Sequence, residues 1–267
     1  MNLPTYHADL PFTYAFGRFA ALEALARRPH DVTAVLWHGD MPEQQAAAVR
    51  AAAEAAGVPV RRDDATVARL RRKGNVHCLA QVRKREEHLD ANSDHVVLVR
   101  PSHPGNVGTA IRSLVAFGFL DLALIEPRID PWGAYVVRAS VGLRFALRCQ
   151  VFGSWDRYLA ACGGQAAGGD EGEDAHPRRH LYLFDARGER ELDDVAFASP
   201  FSLVFGPEWS EAGHTALGRG TAGESMPLST VRVPQANQVE SLNLATAVSL
   251  AAYRARRFPN GGSRRQA

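Results

Sequence analysis

With 267 residues, 46% of them hydrophobic, the chain is long enough for one large or two small domains, and its formal net charge of +2 does not by itself indicate a nucleic-acid binder. Its three cysteines, Cys78, Cys149 and Cys162, are widely spaced and lack a Cys-x-x-Cys pair, so they indicate neither a disulfide framework nor a structural zinc, and we assign no metal. Because no apolar run approaches the roughly 20 residues of a membrane span and the start lacks a signal-peptide pattern, we expect a cytoplasmic protein without membrane contact.

Strand and helix patterns alternate in the first third of the chain. The helical patterns GRFAALEALARR, PEQQAAAVRAAAEAAG and ATVARLRR alternate with the apolar runs VTAVLW, VPVR and VHCLAQV. Such alternation is typical of a small α/β unit. The polar stretch KREEHLDANSD that follows resembles a linker. We therefore predict one domain over residues 1–90 and a second over residues 91–267.

The second part begins with HVVLVR, residues 95–100, a run of β-branched residues typical of a buried parallel strand. A turn-rich loop, PSHPGN, precedes a helix predicted over residues 108–117. Further strand patterns are DLALIE, FALRCQVF, LYLFDA, FSLVFG and VRVP. Together these patterns predict an open, mostly parallel α/β sheet. The glycine-rich, acidic stretch at residues 162–180 predicts a flexible surface loop without a function.

Ligands of doubly wound sheets bind beyond the carboxyl ends of the strands, so the residues that follow each strand are the candidate site. In the helix after the first strand, Ile111 and Leu114 lie on the apolar face and Arg112 on the polar face, one turn into the predicted helix. A guanidinium there presents a planar fork of donors to a phosphate. A surface arginine paired with an acid is the alternative, and the spacing does not decide between them.

Two further loops follow strands. In FSLVFGPEWS, Gly206 ends an apolar strand and permits close approach of a ligand, while Glu208 is suited to bind a ribose hydroxyl, orient an arginine or cap a helix. The stretch VRVPQANQVESLNLATAVSL leads into a helix with apolar residues on most faces, which predicts a buried or interface helix. At its start, Ser241 and Asn243 suit either helix capping or ligand contact.

Taken in order, these loops resemble the three signature motifs of the SpoU (TrmH-like) RNA ribose 2'-O-methyltransferases of the SPOUT superfamily. NVGTAIRSLVAFGF resembles the first motif, LVFGPE the second and VPQANQVESLNLATAVSL the third. VRASVG, residues 137–142, also resembles a family segment. The resemblance implies methylation of rRNA or tRNA with S-adenosyl-L-methionine as cofactor, in a homodimer. It also implies a C-terminal SPOUT-type α/β fold with a trefoil knot, preceded by a small α/β domain that binds the RNA substrate.

The resemblance also assigns roles to individual residues. Its catalytic positions correspond to Asn106, Arg112, Glu208, Ser241 and Asn243. Its cofactor contacts correspond to Gly206, Val233 and Leu242.

One departure from the family pattern keeps an alternative open. Trp209 follows Glu208 where the family often has glycine, and a long stretch separates the second and third motifs. A non-catalytic RNA-binding protein that retains the fold is therefore the alternative function. An oxidoreductase or phosphotransferase ranks lower, because no G-x-G-x-x-G follows a strand and no phosphate-binding G-x-x-x-x-G-K-[ST] loop occurs.

Overall fold

The structure is a computed structural model that describes residues 3–71, 74–162, 179–206, 226–236 and 241–258. The chain divides into two compact units. The first comprises residues 1–86, 103–112 and 129–146, and the second comprises residues 87–102, 113–128 and 147–267. The chain therefore first passes from one unit to the other close to the predicted linker, but two later segments also belong to the first unit. The division into a substrate-binding and a catalytic domain at residue 90 stays a prediction.

The first unit contains a four-stranded sheet in the order β1-β4-β2-β3. Its strands are β1 (Phe12–Phe16), β2 (Val32–Trp37), β3 (Val60–Arg62) and β4 (Cys78–Arg83), and its helices include α1 (Arg18–Arg27), α2 (Glu43–Ala55) and α3 (Asp64–Leu70). β4 pairs antiparallel with β1 and β2, and β2 pairs parallel with β3. The predicted α/β alternation is confirmed. β1 was not predicted from the sequence.

The core of the first unit is rich in alanine. Small buried side chains of α1 and α2 lie in the same apolar cluster as residues of β1, β2 and β4. Because alanine adds little bulk beyond the backbone, the helices approach the sheet closely.

The second unit contains a seven-stranded sheet in the order β7-β6-β5-β10-β8-β11-β9. Its strands are β5 (His95–Val99), β6 (Asp121–Ile125), β7 (Arg148–Phe152), β8 (His180–Phe184), β9 (Arg190–Glu191), β10 (Phe201–Phe205) and β11 (Leu228–Arg232). All six pairings are parallel, which confirms the predicted mostly parallel sheet. The strand order reverses direction between β5 and β10, the position at which doubly wound sheets bind ligands.

The remaining helices are α4 (Pro104–Ala116), α5 (Ala134–Ala139), α6 (Trp155–Cys162) and α7 (Leu244–Arg257). α4 begins four residues before the predicted start at residue 108. Pro104 is the first residue of α4. Because proline has no N–H, it suits a helix start, where the first N–H groups lack a partner within the helix. The residues 104–107 therefore begin the helix, although their turn-like composition predicted a loop. None of the described helices has the length and apolar content needed to cross a membrane.

We predicted that α7 is buried or lies in an interface, and the structure shows burial on one face only. One face is buried, and it comprises Ala245, Val248, Ala251, Ala252 and Ala255. On the opposite face Leu250 and Tyr253 are exposed. Sequence composition did not distinguish apolar side chains that fill the core from those that face outward.

The prediction of a surface loop over residues 162–180 is wrong at both ends; residues 163–178 lie outside the described residues. Cys162 ends α6, His180 begins β8, and Arg179 is fully buried. The Arg179 guanidinium donates hydrogen bonds to four main-chain carbonyls at 2.6–2.8 Å, those of Ala91, Ser93, Cys162 and Phe201. The prediction failed at the ends because it rested on the mean composition of residues 162–180, which is dominated by the glycine-rich centre.

Candidate active-site elements

α4 presents one polar face, as the sequence predicted. Arg112 and Thr109 are exposed, whereas Ile111 and Leu114 are buried. Because the helix begins at Pro104, Arg112 lies two turns into it and not one. The start of the helix, with its first-turn N–H groups, is therefore close to Asn106 and not to Arg112.

The Arg112 side chain forms no ion pair with a carboxylate within the described residues of the first unit. Both alternatives that the sequence left open, a surface ion pair and a phosphate ligand, therefore stay predictions. For the second, the planar fork of guanidinium donors is the relevant feature.

Gly108 permits a close contact between α4 and α5 in the first unit. A β-carbon on residue 108 would lie 2.4 Å from the Ala139 Cβ and 2.9 Å from the Ser140 nitrogen, distances that no side chain tolerates. Ser140 is fully buried, and its hydroxyl donates to the Val137 carbonyl at 3.0 Å. The segment VRASVG therefore packs directly against the first motif, and only glycine at position 108 allows this.

Gly206 and Val233 lie at one edge of the parallel sheet in the second unit. Phe205 of β10 and Val231 of β11 both align with Phe184 at the end of β8, which separates the two strands. Gly206 and Val233 thus follow strands that are about 10 Å apart, at their carboxyl ends. Gly206 is exposed and Val233 is half-buried. Glu208 and Trp209 lie outside the described residues.

The third motif enters α7 through three residues with different environments. Ser241 and Asn243 are exposed and Leu242 is half-buried. Asn243 caps α7, because its Oδ1 accepts a hydrogen bond from the Ala245 nitrogen at 2.9 Å. The capping role that the sequence left open is therefore present.

α7 contacts the last part of α4 within the second unit. The hydroxyl oxygens of Ser249 and Ser113 are 2.6 Å apart, and the rings of Phe117 and Tyr253 meet edge to face with centroids 5.6 Å apart. Ser113 is the residue after Arg112 in the chain. The structure thus brings the helix of the third motif against the end of the helix of the first motif.

Sequence reasoning missed Arg100 and Glu126. They directly follow β5 and β6, both have positive φ angles, 50° and 44°, and the Arg100 Nε donates to Glu126 Oε2 at 2.7 Å. Left-handed non-glycine residues cost on the order of 1–3 kcal/mol each and cluster at functional sites. Gly206 was selected because it directly follows a strand. The same criterion would have selected Arg100 and Glu126. They add an exposed ion pair to the carboxyl edge beside the point where strand order reverses.

Gln235 is a second residue that sequence reasoning missed. It follows β11 in the third motif, and its Oε1 is buried without a hydrogen-bond partner among the described residues. A buried acceptor without a donor is costly unless a ligand supplies one. The ammonium and the adenine amino group of S-adenosyl-L-methionine are such donors, and the absence of a side chain at Gly206 leaves room for its approach. The residues at this edge therefore fit the cofactor that the motifs imply.

A buried polar cluster at the opposite, amino end of the sheet has a structural role. His95 Nε2 lies 2.8 Å from the Asp90 carbonyl oxygen, which only accepts, so this nitrogen carries the proton and Nδ1 accepts from the Tyr158 hydroxyl at 3.0 Å. Burial and the nearby Arg179 charge lower the pKa of His95 to about 4. A neutral histidine that is fully hydrogen-bonded and remote from the carboxyl edge is not a candidate acid or base.

Comparison with known proteins identifies the same part of the chain as the motifs do. The sequence pattern of the SpoU rRNA Methylase family matches residues 93–253. An uncharacterized tRNA/rRNA methyltransferase of Synechocystis sp. is 31% identical over 164 residues, which are 61% of this chain and 52% of that protein. The tRNA (cytidine/uridine/adenosine-2'-O-)-methyltransferase TrmJ of Pseudomonas aeruginosa is 31% identical over 164 residues, 60% of this chain and 59% of that protein. The chain therefore spans between half and three fifths of the length of these relatives.

Solved structures share the fold over nearly the whole chain. The SpoU methyltransferase AviRb of Streptomyces viridochromogenes, in complex with the cofactor AdoMet, superposes with a TM-score of 0.66 at 21% identity. The match covers 92% of this chain and 90% of that one. The architecture of parallel sheet and smaller α/β unit is thus one that methyltransferases adopt.

Proposed function

The chain belongs to the SpoU rRNA methylase family, and on that premise we propose that it transfers a methyl group from S-adenosyl-L-methionine to a ribose 2'-hydroxyl of tRNA or rRNA. The observation that carries the proposal is the order and position of the three motifs. The first forms α4 after β5, the second ends β10, and the third leads from β11 into α7. In a parallel sheet such positions are where ligands bind.

The cofactor, when bound, supplies an electrophilic methyl group on a sulfonium. We assign its binding to Gly206, Val233 and Leu242, largely through main-chain groups, with the buried Gln235 Oε1 as an additional acceptor. Support comes from the exposed glycine at the end of β10 and the unsatisfied acceptor after β11.

We assign the activation of the ribose hydroxyl to Arg112. Arginine stays protonated at any ordinary pH, so it does not act as a base. Its guanidinium would instead bind the phosphate beside the target ribose and stabilise the negative charge that develops on the 2'-oxygen. The phosphate or a water molecule would accept the hydroxyl proton.

The other motif residues would position the nucleotide. Asn106 would hold the ribose or Arg112, Ser241 and Asn243 would orient the nucleotide, and Glu208 would bind a ribose hydroxyl or orient an arginine. Holding the 2'-oxygen in line with the methyl group is expected to supply much of the rate enhancement.

A homodimer is part of the proposal. Leu250 and Tyr253 on α7 and Phe258 directly after it are 41–46% exposed. A cluster of exposed large apolar side chains is typical of a protein interface. Light scattering of the purified protein tests this: we expect a dimer mass that Leu250→Glu with Tyr253→Glu reduces to that of a monomer.

Further features that the family implies also remain proposals. The residues up to about 90 would bind the RNA substrate, and the protein would act in the cytoplasm, where its three cysteines, all free and buried, would stay reduced. A trefoil knot near the C-terminus is also part of the proposal.

The test is to incubate the purified protein with methyl-labelled S-adenosyl-L-methionine and unmodified total RNA, then separate tRNA from rRNA. Label that resists alkaline cleavage identifies ribose methylation, and the labelled fraction identifies the RNA class. If the protein binds cofactor and RNA but labels no fraction, the proposal fails in favour of a non-catalytic RNA-binding protein that retains the fold, which Trp209 in the second motif favours.

A further inference from the structure

Two neighbouring cavities open in the first unit, with volumes of about 380 and 330 Å³. They share Phe16, Val76 and Arg138 as lining residues, so they lie side by side, and the pair is named here the double cavity. Each half is large enough for a nucleobase. No residue that carries the proposed methyl transfer lines either half, so the double cavity has no role in the mechanism above.

Each half of the double cavity has one strongly exposed aromatic ring. Phe19 lines the first half and is 58% exposed, and Tyr135 lines the second half and is 60% exposed. The Arg18 guanidinium lies over the Phe19 ring, 4.5 Å from its centroid. Exposed aromatic rings and arginine planes are the surfaces on which unpaired bases stack. Burial in a core does not account for either ring.

The double cavity is positively charged. Arg18 and Arg138 line it, and no aspartate or glutamate lines it within the described part of the chain. α1 begins at Arg18 without a side-chain cap, so its first N–H groups add a partial positive charge at the same wall. The charge of the lining therefore favours an anionic ligand over a cationic one.

Polar groups of the first half match the edge of a base. Gln45, Asn75 and His77 line it, and the His77 Nδ1 is buried without a hydrogen-bond partner in the described part of the chain. Cys78 also lines this half, but burial raises the pKa of its thiol to about 12, so it stays protonated. The first half of the double cavity thus offers hydrogen-bonding groups and no reactive thiolate, which suits binding and not catalysis.

The second half of the double cavity adjoins the start of α4 within the first unit. A β-carbon on Gly105 would meet the Tyr135 ring at 3.4 Å, and Asn106 is the next residue. Arg138 belongs to the segment VRASVG that packs on Gly108. An RNA strand in the double cavity would therefore lead toward the helix that carries Arg112.

We propose that the double cavity binds two consecutive unpaired nucleotides of the RNA substrate, with Phe19 and Tyr135 as stacking surfaces and Arg18 and Arg138 as phosphate ligands. The inference rests on the proposed function in one respect, that the ligand is the RNA substrate. It predicts that the enzyme selects a target ribose beside a single-stranded or splayed loop.

The test uses the full chain and fluorescence anisotropy with a fluorescein-labelled ten-nucleotide RNA, either unpaired or annealed to its complement. We expect Phe19→Ala and Tyr135→Ala each to weaken binding of the unpaired RNA roughly 10-fold, the usual effect of losing one stacked base. Phe19→Trp should retain binding and Phe19→Leu should not. Both rings are exposed, so the melting temperature should not change.

A matched pair of arginines on α1 tests the charge. Arg18→Ala should weaken binding and lower the slope of log affinity against log salt by about one. Arg27→Ala removes the same charge from the other end of α1, where it pairs with Glu23 at 2.6 Å, and should leave both quantities unchanged. Equal effects of the two substitutions would mean that diffuse charge, and not the double cavity, binds the RNA.

Separate readouts distinguish failure of this inference from failure of the proposed function. Methyl transfer by the wild type together with unchanged RNA affinity of Phe19→Ala and Tyr135→Ala would overturn the inference alone. Equal affinity for paired and unpaired RNA would also overturn it. Cross-linking of 4-thiouridine-substituted RNA to the peptides that contain Phe19 and Tyr135 would support it even if the wild type transferred no methyl group.

Discussion

Gly108 of α4 lies so close to Ala139 of α5 that a β-carbon on residue 108 would stand 2.4 Å from the Ala139 Cβ. In a free helix, glycine to alanine favours folding by about 1 kcal/mol. Here we expect Gly108→Ala to destabilise the protein by roughly 1–3 kcal/mol, because overpacking outweighs that gain. Gly105→Ala in the same helix meets the Tyr135 ring only at 3.4 Å and should cost nothing. Urea denaturation measures both, and equal stability of the two variants would contradict the close contact.

Arg112→Ala is expected to lower the rate of methyl transfer at least about 100-fold, the usual effect of losing one donor to a developing oxyanion. Arg112→Lys should be nearly as slow, because lysine retains the charge but lacks the planar fork. Cofactor affinity, measured by calorimetry, should stay within about twofold, since we assign cofactor binding to other residues, Gly206, Val233 and Leu242. Arg157→Ala, an exposed arginine on α6, is the control. Full turnover of Arg112→Ala would remove Arg112 from the mechanism.

Asn243 has a capping role and a proposed nucleotide-binding role, and two substitutions separate them. Asn243→Ala should lose about 1 kcal/mol of stability, because the hydrogen bond to the Ala245 nitrogen disappears. Asn243→Ser keeps a capping oxygen and should retain stability. Both variants should transfer methyl groups slowly if the amide binds the nucleotide. A fully active serine variant would show that Asn243 acts only as a cap.

Arg179→Met should destabilise the protein by about 3 kcal/mol or more. Its guanidinium donates to four main-chain carbonyls, and a buried carbonyl left without a donor costs about 1–3 kcal/mol. Arg179→Lys should lose less, because an ammonium retains three donors. Arg187→Met, an exposed arginine of the same unit, should be close to neutral. Chemical denaturation of the three variants at pH 7.5 gives the comparison.

His95 is expected to make stability depend on pH. Its pKa is about 4 in the folded protein against an ordinary value of 6.5, so the unfolded chain takes up a proton first as the pH falls. Stability present above pH 6.5 is therefore lost between pH 6.5 and pH 4, by about 3 kcal/mol. His95→Gln should show a smaller loss over that interval, while the other histidines contribute equally to both proteins. Urea denaturation of both proteins across pH 4.5–7.5 measures the free energy of unfolding. Equal pH dependence of the two proteins would refute the role assigned to His95.

Much of the second unit was predictable because its strands are continuous apolar runs. β5, β6 and β10 are almost entirely buried, and local sequence suffices where four of the five side chains of a strand are apolar. The polar face of α4 was predictable for the same kind of reason, since helical periodicity places Arg112 opposite Ile111 and Leu114. The three motifs, their order and the family were also accessible from sequence.

What only the tertiary structure decided depends on residues that are distant in the chain. The order of the seven strands, the membership of residues 103–112 and 129–146 in the first unit, and the carbonyls that Arg179 satisfies leave no periodic trace in the sequence. The double cavity is likewise assembled from six separate stretches of the chain between Thr5 and Val141. Periodicity reports which face of one element is buried, whereas pairing, close approach and cavity shape depend on which elements meet, and that is settled only when the whole chain folds.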